Sequence, residues 1–96
     1  PGAGMSELRE DALVAYAQEQ DRRKALNAAV TSADLALTLA QQQYGSGLID
    51  FQDVLDAQRS LYVLQDQLAS SEGLVTSNLI RLYKALGGGW SPQVQG

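Results

Sequence analysis

The sequence predicts an all-α fold, a long antiparallel two-helix coiled-coil hairpin. The 96-residue chain has prolines only at positions 1 and 92, so its interior lacks the strongest helix breaker. Apolar residues recur at helical spacing on both sides of a glycine-rich break at residues 45–49. Because that break is short, the two helices are expected to be antiparallel neighbours.

The first element is a helix predicted over residues 6–44. Ser6 is a candidate N-cap, and acidic residues follow it, where they favour the positive end of the helix dipole. Glu19 and Arg23 fall on the expected seam, so the apolar stripe weakens there. The apolar heptad positions are Ala12, Tyr16, Leu26, Val30, Ala33, Leu37, Ala40 and Tyr44.

A turn is predicted over residues 45–49, followed by a second helix over residues 50–86. Gly45 or Gly47 can take the left-handed conformation that closes a helix C-terminus. Asp50 is the expected N-cap, and Asp53 occupies the third helical position as a capping-box-like acid.

The second helix carries an uninterrupted heptad pattern. Its first series of seam positions is Val54, Leu61, Leu68, Val75 and Leu82. The companion positions are less apolar: Ala57, Leu64, Ser71, Asn78 and Ala85. The seam is therefore expected to become polar towards the C-terminal half. A glycine-rich terminus over residues 87–96 ends the helix. Trp90 is expected to anchor a sharp turn there, and the alternative is that the segment is a frayed end.

The second helix has more apolar surface than one partner helix can cover. One flank of its seam is expected to hold Leu55, Tyr62, Ala69 and Tyr83, and the other Leu79 and Leu86. Two arrangements would cover these faces: a dimer forming a four-helix bundle, or an arc of a larger helical cylinder. Periodicity alone favours the four-helix bundle.

Composition argues against several classes of function. The net charge is −4, and no basic run is longer than residues 22–24, which argues against a nucleic-acid partner. The absence of histidine and cysteine removes the commonest general base and thiolate metal ligands, so no catalytic residues, metal site or cofactor are expected. Asp53 and Asp56 share a helix face, but acids are typical of a helix start. Arg59 is expected to pair with Asp56 on the surface.

The sequence contains no run of apolar residues long enough for a membrane span, and no recognisable signal peptide. Residues 1–5 are small or apolar and uncharged, and are expected to be an expression remnant or a linker within a longer protein.

Three motifs resemble one family. The segment YGSGLIDFQDVLDAQRSLY (44–62) resembles the corresponding segment of TolC-like outer membrane efflux proteins. The segment LYKALGGGW (82–90) is similar to the end of the helical barrel in the lipoprotein branch that serves resistance-nodulation-division pumps. The segment REDALVAYAQEQDRR (9–23) is similar to the start of that branch's last long hairpin. Together these motifs cover nearly the whole chain.

The resemblance implies a role, a location and partners. It implies one periplasmic hairpin of a homotrimeric α-barrel. The barrel is part of a passive channel in the cell outer membrane that exports drugs, metals or other small molecules. The implied partners are a periplasmic adaptor (membrane fusion) protein and an inner-membrane resistance-nodulation-division pump. The alternative is a helical-hairpin adaptor or a structural coiled-coil module; an enzyme built on the aspartate pair is the least favoured hypothesis.

The resemblance also assigns site residues around the turn. Those implied to dock the adaptor are Tyr44, Gly45, Ser46, Gly47 and Leu48, and those implied to line or gate the aperture are Gln52, Asp53, Asp56 and Arg59. Gln52 stands where some relatives carry a constricting apolar residue, and Ile49 replaces an arginine found in some distant members. A purely hydrophobic constriction and that arginine's ion pair are therefore not carried over.

Overall fold

Two long helices, packed against each other along their length, make up the described chain. The structure, a computed structural model, describes the backbone of residues 2–87 and the side chains of residues 7–87. Helix α1 spans Gly2–Gly45 and helix α2 spans Phe51–Leu86, and together they measure 67 × 29 × 15 Å. Contacts pair the start of α1 with the end of α2, so the helices are antiparallel. The prediction of an all-α hairpin is confirmed.

Helix α1 begins earlier than the sequence pattern predicts. It starts at Gly2, four residues before the predicted start at Ser6, which therefore lies inside the helix and is not its N-cap. No acidic residue lies in the first turn. An established helix extends at the gain of one hydrogen bond per residue, even through weak helix formers.

The end of α1 is closed by a Schellman motif. The N–H of Leu48 donates to the carbonyl of Gln43 at 2.9 Å, and the N–H of Gly47 donates to that of Tyr44 at 3.0 Å. Gly47 has φ 77°, and of the two candidate glycines it is therefore the one in the left-handed conformation. Gly45 remains the last helical residue.

Helix α2 begins with a main-chain cap. Asp50 stands at the predicted N-cap position with extended backbone angles (φ −94°, ψ 171°), but its side chain makes no capping hydrogen bond. The N–H of Asp53 donates instead to the main-chain carbonyl of Asp50 at 3.1 Å, which leaves that donor unavailable to the carboxylate. The predicted position is confirmed, and the expected side-chain cap is absent.

Helix α2 ends at Leu86, as predicted. Gly87 is its C-cap, and the N–H of Gly87 donates to the carbonyl of Tyr83 at 2.9 Å. Residues 88–96 lie outside the described part of the chain, and with them the expected anchoring of Trp90.

The seam between the helices is apolar near the turn and mixed at the other end, where Ala12 is buried but polar residues also occupy seam positions. Ala40, Val54 and Leu61 are buried in the half near the turn. In the other half Ser71 is fully buried and donates a hydrogen bond to Glu19, while the Asn78 side chain donates to the carbonyl of Ala15 at 3.4 Å. The predicted weakening of the seam is confirmed.

Large apolar side chains outside the seam are exposed, as the surplus in the pattern predicts. Tyr62 is 58% exposed and Tyr83 70% exposed. The assignment of Leu79 to the flank opposite Tyr83 is wrong, because Leu79, Ile80 and Tyr83 together line one open apolar depression. Residues four apart stack on the same helix face, which brings Leu79 beside Tyr83.

Candidate functional site at the turn end

An exposed apolar surface lies where the two helices meet the turn. The rings of Tyr44, the last seam residue of α1, and Phe51, the first residue of α2, lie 5.2 Å apart at an interplanar angle of 55°. Leu48, between them in the chain, is 73% exposed. We call these three residues the tip surface. Exposed aromatic and aliphatic groups held on helix ends are typical of protein contact sites.

The main-chain N–H groups of the turn already donate hydrogen bonds within the chain. Besides the two bonds of the Schellman motif, the N–H of Ser46 donates to the carbonyl of Gln42 at 3.1 Å. The N–H groups of Ser46, Gly47 and Leu48 are therefore all committed to α1. A partner of this turn would meet its side chains and carbonyl oxygens rather than free main-chain donors.

Three of the predicted aperture residues form a polar ladder on the surface of α2. The amide of Gln52 donates to Asp56 at 2.9 Å, and a guanidinium nitrogen of Arg59 lies 3.8 Å from the same carboxylate oxygen. The Arg59 and Asp56 side chains are 73% and 56% exposed, so the expected ion pair is present and contributes only about 0.3 kcal/mol. The ladder therefore orients Asp56 more than it stabilises the helix.

Asp53 lies in the first turn of α2, exposed and one helical turn before Asp56. An acid at this position stabilises the helix start through its interaction with the helix dipole, which gives Asp53 a structural role in any case. The structure thus brings Gln52, Asp56 and Arg59 into contact and places Asp53 beside them.

The net negative charge of the chain is concentrated towards the turn. Between residues 34 and 66 five aspartates stand against the single cation Arg59, whereas the remaining acids and bases balance. The turn half therefore carries the whole net charge of −4. Such a distribution attracts cations and repels anions near the turn end.

One carboxylate far from the turn has an altered acidity. The pKa of Glu19 is lowered, first by the hydrogen bond from Ser71 and next by the one from Arg22, whose guanidinium lies 2.8 Å away.

No group of three or more carboxylates able to hold a metal ion occurs within residues 2–87.

Two features of the molecule were missed by reasoning from the sequence. Phe51 was not assigned to the turn end, although its spacing of seven residues from Tyr44 across a tight turn was a usable signal. The pairing of Glu19 with Ser71 was not predicted either. The sequence pattern puts Glu19 and Ser71 on the seam. Their contact joins positions 52 residues apart, however, and depends on how the two helices align.

Neither helix of the described part is long and apolar enough to cross a membrane.

Comparison with known proteins identifies the family. The family model of outer membrane efflux proteins matches residues 8–88. The solvent efflux pump outer membrane protein SrpC of Pseudomonas putida is 46% identical over 54 residues, covering 56% of this chain and 12% of SrpC. The outer membrane protein OprJ of Pseudomonas aeruginosa is 39% identical over 82 residues, covering 83% of this chain and 17% of OprJ.

A further relative is the cation efflux system protein CusC of Escherichia coli O6:H1. It is 35% identical over 80 residues, covering 83% of this chain and 17% of CusC. The chain thus spans less than a fifth of the length of each of these three relatives. No solved structure gives a significant match. With the family model matching most of its length, the chain belongs to the outer membrane efflux protein family.

Proposed function

We propose that this hairpin is a periplasmic wall segment of an outer membrane efflux channel, with its turn end forming the gated, adaptor-docking mouth. The observation that carries the proposal is the family match over residues 8–88 of a two-helix hairpin that is 67 Å long. The channel is a passive conduit for drugs, metals or other small molecules, and the energy for transport comes from an inner-membrane pump.

Uncovered apolar surface supports a place within a larger helical wall. Leu55, Tyr62, Leu79 and Tyr83 are exposed on the side of α2 away from its seam with α1. In a homotrimer the neighbouring helices would bury this side, since apolar faces that one partner leaves exposed are stabilised by a second. Helix α2 therefore has one face that packs against α1 and another apolar face suited to a helix of a neighbouring chain.

The tip surface supports adaptor docking. Tyr44, Leu48 and Phe51 are exposed, and the Schellman motif and the start of α2 hold them in a fixed geometry. A rigid apolar surface binds with a small loss of conformational entropy. Gly45, Ser46 and Gly47 have small or absent side chains, which would let a partner helix approach the turn closely.

The aspartates support an aperture that discriminates by charge. Three symmetry-related copies of Asp53 and Asp56 around a narrow opening would make a ring that attracts cations. The exposed contacts from Gln52 and Arg59 to Asp56 can exchange for contacts with a neighbouring chain at little cost, because surface ion pairs are weak. Gating by an outward helix shift then needs no covalent step.

Complementation tests this function. The hairpin of Pseudomonas putida SrpC that contains the 54-residue match is replaced by this chain, and the chimaera is expressed in a strain lacking SrpC. The proposal predicts that solvent survival is restored, and that Leu48→Glu with Phe51→Glu abolishes it while the chimaera still reaches the outer membrane. A correctly inserted chimaera that restores no survival contradicts the proposal, and so does full survival with both glutamates present.

A further inference from the structure

The apolar part of the helix interface does not by itself select one alignment of the helices. On α2 the seam repeats every seven residues at Val54, Leu61 and Leu68. Sliding α1 along α2 by one heptad would therefore match apolar positions with apolar positions again. The short connection limits such a slide but does not prevent it, because unwinding a turn at a helix end lengthens the connection.

The polar part of the interface contains a directional contact that such a slide would break. The hydroxyl of Ser71 is fully buried and donates to an Oε2 atom of Glu19 that also accepts a hydrogen bond from Arg22. The Glu19 side chain is only 15% exposed. One heptad further along α2, the Asn78 amide donates to the carbonyl of Ala15. Two polar contacts therefore join the helices in this half.

Breaking these polar contacts costs more free energy than exchanging apolar contacts, because it leaves buried polar groups without hydrogen-bond partners. If α1 slid along α2, the Ser71 hydroxyl would lose its acceptor in a buried position, and the mostly buried carboxylate of Glu19 would lose a donor. Apolar side chains in the other half would find new apolar neighbours. Buried polar residues at single seam positions are known to fix helix alignment for this reason.

We propose that Glu19 and Ser71 are positioning residues that set the register of α1 against α2. Glu19 lies 26 residues before the end of α1 and Ser71 lies 20 residues after the start of α2, so both are about 30–40 Å from the turn at 1.5 Å per residue. At that distance they act on the alignment of the whole hairpin rather than on the turn itself. This role is independent of the proposed channel function, since it concerns the 96-residue chain alone.

Pulsed electron spin resonance tests the register directly. The chain has no cysteine, so Ser32→Cys and Ser77→Cys, both at exposed positions on different helices, provide two unique spin-label sites. Labelled chain is diluted in excess unlabelled chain, so that only distances within one molecule are measured. The expected distance is single and narrow, and a slide of one heptad would change it by about 10 Å, since seven residues rise about 1.5 Å each.

Three variants are compared with this reference. Glu19→Leu with Ser71→Ala removes the polar pair, and the distance distribution is expected to broaden or shift by about 10 Å while helix content is retained. Ser71→Ala alone, which removes only one hydroxyl, is expected to broaden it less. Glu19→Gln, which keeps an acceptor for Ser71, is expected to preserve the narrow distribution.

Asp21→Leu is the matched control, because Asp21 is an exposed acid two residues from Glu19. Its distribution is expected to equal the reference. An unchanged narrow distribution in both the double variant and folded Ser71→Ala overturns the proposal. Equal broadening in the Asp21→Leu control overturns it as well, because the effect would then not depend on the polar pair.

Discussion

The hydroxyl of Ser71 donates a hydrogen bond to the carboxylate of Glu19, 52 positions earlier in the chain and on the opposite helix. Arg22 lies 2.8 Å from the same oxygen, so the carboxylate is held by a donor on each helix. The apolar contacts nearer the turn have no such directionality. The half away from the turn therefore has directional polar contacts between the helices in addition to the buried apolar residue Ala12.

This carboxylate predicts a dependence of stability on pH. Ser71 and Arg22 lower the pKa of Glu19 below its usual 4.5 in the folded chain. Its charged form therefore stabilises the fold fully above that value, and the stabilisation is lost as the pH falls through the lower folded-state pKa. The melting temperatures of the natural chain and Glu19→Gln, measured from neutral to acid pH, are expected to converge in acid. A difference that stays constant with pH would contradict the prediction.

The burial of Leu61 indicates that the seam contributes most of the apolar stabilisation of the fold. Leu61 is 4% exposed in the seam, so Leu61→Ala is expected to lower the free energy of unfolding by about 2–3 kcal/mol. Leu74 on the same helix is 45% exposed, and Leu74→Ala is expected to cost about 0.5 kcal/mol. Urea denaturation followed by circular dichroism measures both. Equal losses would show that the seam is not the core.

Replacement by alanine is expected to have opposite effects on stability at Gly45 and Gly47. Gly47→Ala is expected to destabilise the chain by about 1 kcal/mol, because φ 77° is unfavourable for a residue with a Cβ. Gly45 is helical with open space around it, so Gly45→Ala is expected to stabilise by about 0.5–1 kcal/mol. Thermal unfolding of both variants checks the signs. A stabilising Gly47→Ala would rule out the observed turn geometry.

The exposed side of α2 predicts self-association of the isolated chain. Tyr83 is 70% exposed beside Leu79 and Ile80, and burying such a patch is favourable. Light scattering is expected to give a mass above that of one chain, and Tyr83→Gln to reduce it. Val63→Gln is the control, since Val63 is 49% exposed and the residues three and four positions from it on the helix are all polar. A chain that stays monomeric at high concentration would contradict the prediction.

Reasoning from sequence predicted the features that depend on local spacing. The heptad positions Val54 and Leu61, the glycine closure of α1 and the ion pair between Asp56 and Arg59 are each determined by residues within a few turns of one another. The start of α1 was placed late at Ser6 because a candidate N-cap does not stop a helix from extending further.

Other features depend on geometry that a one-dimensional pattern does not contain. The absent side-chain cap of Asp50 follows from a main-chain hydrogen bond that already occupies the donor of Asp53. The contact of Tyr44 with Phe51 depends on the angle at which α2 leaves the turn. The roles of Gln52, Asp53, Asp56 and Arg59 at an aperture, and of the tip surface in docking, remain predictions because they require neighbouring chains.

Trivalent-cation block of the SrpC chimaera in a planar bilayer tests whether the turn end forms the channel mouth. A mouth lined by these aspartates is expected to select cations and to be blocked by a trivalent cation, and Asp53→Asn with Asp56→Asn is expected to weaken the block by about tenfold or more. Asp66→Asn, an exposed acid about 15 Å further along α2, is expected to leave the block unchanged. Unaltered block without Asp53 and Asp56, or an equal loss in Asp66→Asn, would show that the turn end does not form the mouth.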